Sequence, residues 1–296
     1  MLTQIQGLHH VTTLGRAPLA NDTFVRLGLG LRRVKKTVNF DAPDVYHLYF
    51  GNADADPGTI LTYFPRPNAR PRTAGTGEVG RTCFAVGTLA DWPERLGAAG
   101  ATDVTLAKRF DQDILTFTGV DGDDLALIPN GGVDPAITGF HSVDLRLADI
   151  GPTRDLLEFM GYQIAGHDGD TTRMVLQNAK RPALIDLTAS DLPPARQGGG
   201  AVHHIAFSVA CRARQLEVRE ALIDDGYEVT EVRDRTYFNA IYFRSPGGVL
   251  FEVATDDPGF AVDEPAASLG NALRLPAQHE HLRHDLEEKL VPLPDA

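Results

Sequence analysis

Cysteine is nearly absent from this 296-residue chain: Cys83 and Cys211 are the only two, and they lie far apart. Two isolated thiols build neither a disulfide scaffold nor a thiolate metal site, so a reducing, cytoplasmic setting is expected. No apolar run reaches the roughly 18 residues a membrane-spanning helix needs. The opening MLTQIQGLHHVTT lacks a basic stretch followed by an apolar one and does not read as a secretory signal. Basic residues are outnumbered, 28 Lys and Arg against 40 Asp and Glu, which leaves a charge of −12 and no basic surplus to neutralise phosphates. Nucleic acid is therefore not an expected partner. What is present is an apolar fraction of 43 %, ample for a core, in a chain long enough for two domains.

The chain repeats itself. LHHVTTLG, a polar helical stretch and YHLYFGNADADPGTILTYF near the start are matched by VHHIAFSV, a helical stretch and NAIYFRSPGGVLFEV near the end. Weaker copies open at RTCFAVGTLADWPERLGAAGA and at GFHSVDLRLADIGPTRDLLEFMGY. Each first strand is alternating or apolar over five to eight residues, as half-buried strands are. In the third copy Asp149 or Thr153 is expected to start a helix with Leu156, Leu157 and Met160 as its stripe and Gly161 as its stop. In the fourth, Leu216, Val218, Leu222 and Ile223 form the expected stripe before Gly226.

The predicted fold is therefore α+β: four βαβββ modules whose sheets pair into two half-open barrels with the helices outside. The Gly- and Pro-rich stretch 130–139 divides the modules, giving an N-terminal pair at 1–132 and a C-terminal pair at 133–258. Residues 259–296 form an extension, with HEHLRHDLEEKL as a short charged helix.

Strand parity sorts the side chains. Ile205 and Phe207 share one face, while His204, Ala206 and Ser208 share the other. Phe251 and Val253 oppose Glu252 and Ala254, and Val11 and Thr13 oppose His10 and Thr12. His10, His204 and Glu252 thus lie on faces not given to helix packing, and an unpaired carboxylate in VLFEVAT would be costly to bury. Two imidazoles and a carboxylate suit Fe(II) with open coordination positions, though Mn or Zn would accept the same donors. Sharing one ion requires modules one and four to form one barrel. Thr62 falls where Glu252 does, and the third module has His141 and Asp186, a remnant rather than a second site because module two offers no partner histidine.

These features resemble the vicinal oxygen chelate superfamily, which includes glyoxalase I, the extradiol dioxygenases and the fosfomycin- and bleomycin-resistance proteins. More closely, GLHHVT, LRRVKKTVNFDAPDVYHLYFGN, PGTILTYFP, VHHIAFSV, DRTYFNAIYFRSPGGVLFEVATDDPGF and LGNALRLPAQHE resemble the ring-cleaving dioxygenases that open para-hydroquinones. The resemblance implies Fe(II) held by His10, His204 and Glu252, with His9, His203, Arg235 and Tyr242 acting around it. It also implies a small phenolic substrate, of hydroquinone or catechol type, that takes up both atoms of O2. Alternation alone sends His9 and His203 to the helix side, so they reach the site only if their strands twist or bulge. Tyr242 is expected almost opposite Glu252, His47 in the core, and His279, His281 and His284 in solvent. Two other readings remain: a non-oxidative isomerase, lyase or thiol transferase using Ni, Mn or Zn, and a small-molecule-binding module without catalysis. A homo-oligomer is compatible with the sequence.

Overall fold

The structure is a computed structural model that describes residues 1–295. The first module runs β1 (Ile5–Gly15), α1 (Pro18–Thr23), β2 (Arg32–Asn39), β3 (Ala42–Gly51) and β4 (Ile60–Pro65). The second runs β5 (Glu78–Val86), α2 (Trp92–Ala98), β6 (Thr102–Arg109), β7 (Gln112–Thr118) and β8 (Asp124–Pro129). The third runs β9 (Ile137–Leu147), α3 (Gly151–Phe159), β10 (Tyr162–Asp168), β11 (Thr171–Leu176) and β12 (Leu184–Ala189). The fourth runs β13 (Val202–Val209), α4 (Arg212–Asp224), β14 (Arg233–Asp234), β15 (Phe238–Arg244) and β16 (Leu250–Pro258).

Two eight-stranded sheets result, and each draws on both halves of the chain. One has the order β14-β15-β16-β13-β1-β4-β3-β2, the other β10-β11-β12-β9-β5-β8-β7-β6. Modules four and one therefore share a sheet, joined where β1 runs antiparallel to β13. Modules three and two share the other, joined through β5 and β9. This is the α+β, two half-barrel arrangement that the repeats imply.

The faces segregate as alternation requires. Ile205, Phe207, Phe251 and Val253 enter a large apolar cluster with Val218 and Leu222 of α4, Leu156 and Leu157 of α3, and Trp92 and Leu96 of α2. Ala206, Ala240 and Ala254 point the other way, into a smaller cluster with Tyr49, Phe238 and Phe260. Small residues on that side leave room for a cavity.

Helix details depart from the sequence reading in two places. In α3 the stripe Leu156, Leu157 and Met160 is buried and Gly161 ends it at φ +96. The carboxylate of Asp149 accepts the Gly151 N–H at 2.9 Å, one residue ahead of the N-cap, and Thr153 instead lies buried inside the helix. In α4, Leu216 and Ile223 are exposed rather than part of the stripe. Gln215, Val218 and Leu222 occupy the inner face, and the Gln215 amide donates to the carbonyl oxygens of Asn239 and Val253 at 2.8 and 2.7 Å. A hydrogen-bonded glutamine thus holds a place that apolar counting gives to leucine.

The extension contains α5 (Arg283–Lys289) and is pinned by cations buried in β2. Lys35 Nζ meets Asp263 and Glu264 at 2.6 and 2.5 Å, and Arg33 donates to Asp22 and to the Gly270 carbonyl. His281 and His284 are exposed as expected, but His279 is half-buried, its Nε2 2.8 Å from the Phe40 carbonyl. No helix among the described residues is long and apolar enough to cross a membrane.

Candidate metal centre

β1, β13 and β16 are adjacent in the first sheet, and they bring His10, His204 and Glu252 together. The two imidazole Nε2 atoms lie 3.1 Å apart. Glu252 Oε2 is 2.9 Å from His204 Nε2 and 3.5 Å from His10 Nε2. Among the described residues this is the one group of three such donors close enough to share an ion, all its ligand atoms falling within 4.8 Å. All three side chains are buried, Glu252 completely.

The donors fit a cation. Neither Glu252 oxygen receives a well-formed hydrogen bond, although an unsatisfied buried carboxylate is costly. Burial pushes the Glu252 carboxyl up, but positive charge at the two imidazoles outweighs it and holds the group well below the ordinary carboxylate range. One divalent ion would supply that charge and satisfy the three inward-facing donors together.

The neighbouring histidines arrive by bulges. Along the β1–β13 pair, Leu8 faces Phe207 and His10 faces Ala206, so His9 is an extra residue. Further along, Thr12 faces His204 and Thr13 faces Val202, so His203 is extra on the other strand. Each extra residue turns its side chain toward the following histidine instead of the helices. His9 Nδ1 lies 2.9 Å from His10 Nδ1, and His203 Nδ1 lies 2.8 Å from His204 Nδ1. Burial first, then the adjacent imidazole, lowers the pKa of both His9 and His203 to about 3. His203 reaches the cavity wall, while His9 packs behind His10 against Phe238.

The cavity holds about 800 Å³ and is lined by His10, His203, His204, Glu252, Tyr242 and Phe238, among others. Tyr242 faces Glu252 across the β15–β16 pair, as expected. Its hydroxyl lies 3.4 Å from Arg235 Nε, and burial together with Glu252 raises its pKa. Arg235 also meets the exposed Asp41 at 3.1 Å, so the surface ion pair and the approach to the site coexist. Arg66, Arg70, Arg233 and Arg235 line the cavity against the carboxylates of Asp41 and Glu252, reversing the acidic balance of the whole chain. His47 is both buried and part of the lining. Tyr49, Phe238 and Asp41 also line it and were not singled out by motif. The parity of YHLYF, with His47 and Tyr49 two residues apart, is the signal that places both on the same face.

Strand register corrects one equivalence. In module four Ala206 pairs with Glu252, and in module three Asp144 pairs with Asp186. His141 therefore matches His203, and Ser142 takes the place of His204. Arg173 stands opposite Asp186 as Tyr242 stands opposite Glu252, and its guanidinium grips Asp186 at 2.7 and 2.8 Å. Arg109 adds a contact to Asp144 at 2.9 Å. In the second half-barrel guanidinium groups neutralise the carboxylates that face inward.

Known proteins share this architecture. The profile of the Glyoxalase/Bleomycin resistance protein/Dioxygenase superfamily matches residues 102–253. The Bacillus subtilis protein MhqO, provisionally named a ring-cleaving dioxygenase, is 40 % identical over 99 % of this chain and 98 % of its own. A chlorohydroquinone/hydroquinone 1,2-dioxygenase of Sphingobium indicum is 34 % identical over 96 % of this chain and 95 % of its own. The crystal structure of a Bacillus subtilis protein provisionally described as a dioxygenase superposes with a TM-score of 0.93 at 39 % identity, covering 99 % of this chain and 98 % of that one. Glyoxalase I from Zea mays shares the fold at a TM-score of 0.66 and 13 % identity, over 84 % of this chain and 92 % of its own. The chain belongs to the Glyoxalase/Bleomycin resistance protein/Dioxygenase superfamily.

Proposed function

We propose that this protein is an Fe(II)-dependent, ring-cleaving dioxygenase that inserts both atoms of O2 into a small hydroquinone- or catechol-type phenol. The observation that carries the reading is the buried His10, His204 and Glu252 cluster, whose carboxylate receives no well-formed hydrogen bond and lines the cavity. The names of the full-length relatives support the same chemistry. Bound there, Fe(II) would supply open coordination positions and the one-electron chemistry that spin-paired organic substrates and O2 otherwise lack.

The protein's part is protonic and positional. With Nε2 of His10 and His204 turned to the ion, their Nδ1–H groups donate to His9 and His203. Each of those accepts through Nδ1 and so carries its proton on Nε2. His9 donates that proton to the Thr255 backbone, whereas His203 presents its own to the cavity. His203 is therefore the acid–base group, and His9 fixes the orientation of His10. Tyr242, kept as a phenol, donates a hydrogen bond where the substrate oxygen binds, and Arg235 holds the developing negative charge. Four arginines at the cavity favour entry of a phenolate. Thr62, rather than a second carboxylate that would make a fourth ligand, faces this side of β4 and hydrogen bonds to Thr12, which favours oxygen chemistry over a four-ligand isomerase.

The test is anaerobic iron loading followed by oxygen uptake with hydroquinones. One iron per chain, stoichiometric uptake and two labelled oxygen atoms in the ring-opened product are expected. Iron-loaded protein that consumes no oxygen with hydroquinones or catechols would overturn the reading.

A further inference from the structure

The wall facing Tyr242 carries a second tyrosine. β3 lies beyond β1 and β4 in the curled sheet, on the side opposite β15. Tyr49 pairs with Thr62 across β3 and β4, as Tyr242 pairs with Glu252 across β15 and β16. Tyr49 is thus the module-one counterpart of Tyr242, and it too lines the cavity. Phe238 bridges the two walls, its ring centroid 5.2 Å from that of His10 and 6.5 Å from that of Tyr49.

A hydrogen-bond chain fixes the polarity of this tyrosine. The Thr62 hydroxyl donates to Thr12 Oγ1 at 3.0 Å, so Thr62 Oγ1 can only accept from His47 Nε2, 2.9 Å away. His47 is held neutral because burial lowers its pKa well below the ordinary value. Its proton therefore sits on Nε2, and its Nδ1 accepts the Tyr49 hydroxyl at 2.9 Å. With that proton committed, the Tyr49 oxygen offers the cavity only lone pairs. Tyr242 has charged neighbours instead, accepting from Arg235 Nε at 3.4 Å and lying against Glu252.

We infer that Tyr49, held by His47, is the acceptor for the second, un-ionised hydroxyl of a 1,4-dihydroxybenzene whose first oxygen lies at the Glu252 side. The inference rests on the dioxygenase reading and deepens it: a free hydroxyl at the far end of the ring is selected over an ether.

The probe pair is hydroquinone and 4-methoxyphenol, compared by anaerobic binding to iron-loaded protein and by KM for oxygen uptake. Wild type is expected to bind hydroquinone roughly tenfold tighter, since an ether cannot donate to Tyr49. Tyr49→Phe should weaken hydroquinone about tenfold and leave 4-methoxyphenol unchanged, so that the ratio collapses. His47→Phe, which packs against Tyr49 and Phe64, frees the Tyr49 proton and should strengthen 4-methoxyphenol several-fold. A ratio unchanged in Tyr49→Phe, or equal loss of both ligands in a folded variant, overturns the assignment. If Tyr49→Phe fails to fold, an unaltered 4-methoxyphenol affinity in His47→Phe overturns it instead. Absence of oxygen uptake in wild type sinks the dioxygenase reading itself, while uptake with an unaltered ratio sinks only the role of Tyr49.

Discussion

Arg235 Nη2 lies 3.1 Å from Asp41 Oδ2, a pair formed across the rim of the cavity with Asp41 well exposed. An exposed ion pair contributes at most about 1 kcal/mol, so its weight here falls on the charge it withholds from the cavity. Asp41→Asn should leave Tm unchanged and lower KM for hydroquinone about threefold, as Arg235 turns fully to the substrate. Steady-state oxygen uptake checks this. A raised KM would show that Asp41 orients Arg235 instead of competing for it.

Metal removal should act on stability through Glu252. Ligand at a hundred times its Kd adds about 2.7 kcal/mol, worth roughly 5 °C in a protein of this size. Wild type should gain that shift with Fe(II), and Glu252→Gln should not. Thermal denaturation of both proteins, with chelator and with iron, checks both statements.

The other half-barrel should be structurally sensitive and catalytically indifferent. Arg173→Met leaves the buried Asp186 with only Arg109, 3.5 Å away, and is expected to cost about 3 kcal/mol in urea unfolding. Activity per folded molecule should be unaltered. The double variant Arg173→Met, Asp186→Leu should recover most of the loss, since it removes the orphaned charge as well.

Asp123 gives a pH dependence with a defined sign. Burial, opposed by the hydrogen bond from Tyr63, raises its pKa from 3.8 to about 6. Between about pH 4 and pH 6 the folded state therefore binds more protons than the unfolded state. Stability from this group is fully present below the unfolded pKa and is lost as pH rises through the folded one. Asp123→Asn should flatten that descent, read by denaturant midpoints across the window.

Much of this was legible because strands expose a period of two. Parity in VHHIAFSV and VLFEVAT puts His204 and Glu252 on one face and Phe207 and Phe251 on the other, and the expectation that they share one ion with His10 then pairs modules one and four. The role of the bulges was not legible, because a register shift belongs to two strands at once and leaves no mark in either alone. His9 and His203 looked misdirected for that reason. The equivalence of His141 with His203 needed the register of a paired strand too, and Leu216 misled because its helix uses a glutamine on the sheet. Tyr49 was hidden by its ordinary company: YHLYF reads as core, and only the chain through His47 and Thr62 gives it a chemical direction.

The crosswise pairing of modules has a consequence for biosynthesis. β1 is made well before its neighbour β13 and the carboxylate-bearing β16. The first quarter must wait with the long edge of β1 unpaired until Val202–Val209 arrives, and the site is complete only with the later β16. A metal shared by His10, His204 and Glu252 would thus be captured only when synthesis of the four modules is nearly finished, which would keep the ion away from an unfinished chain.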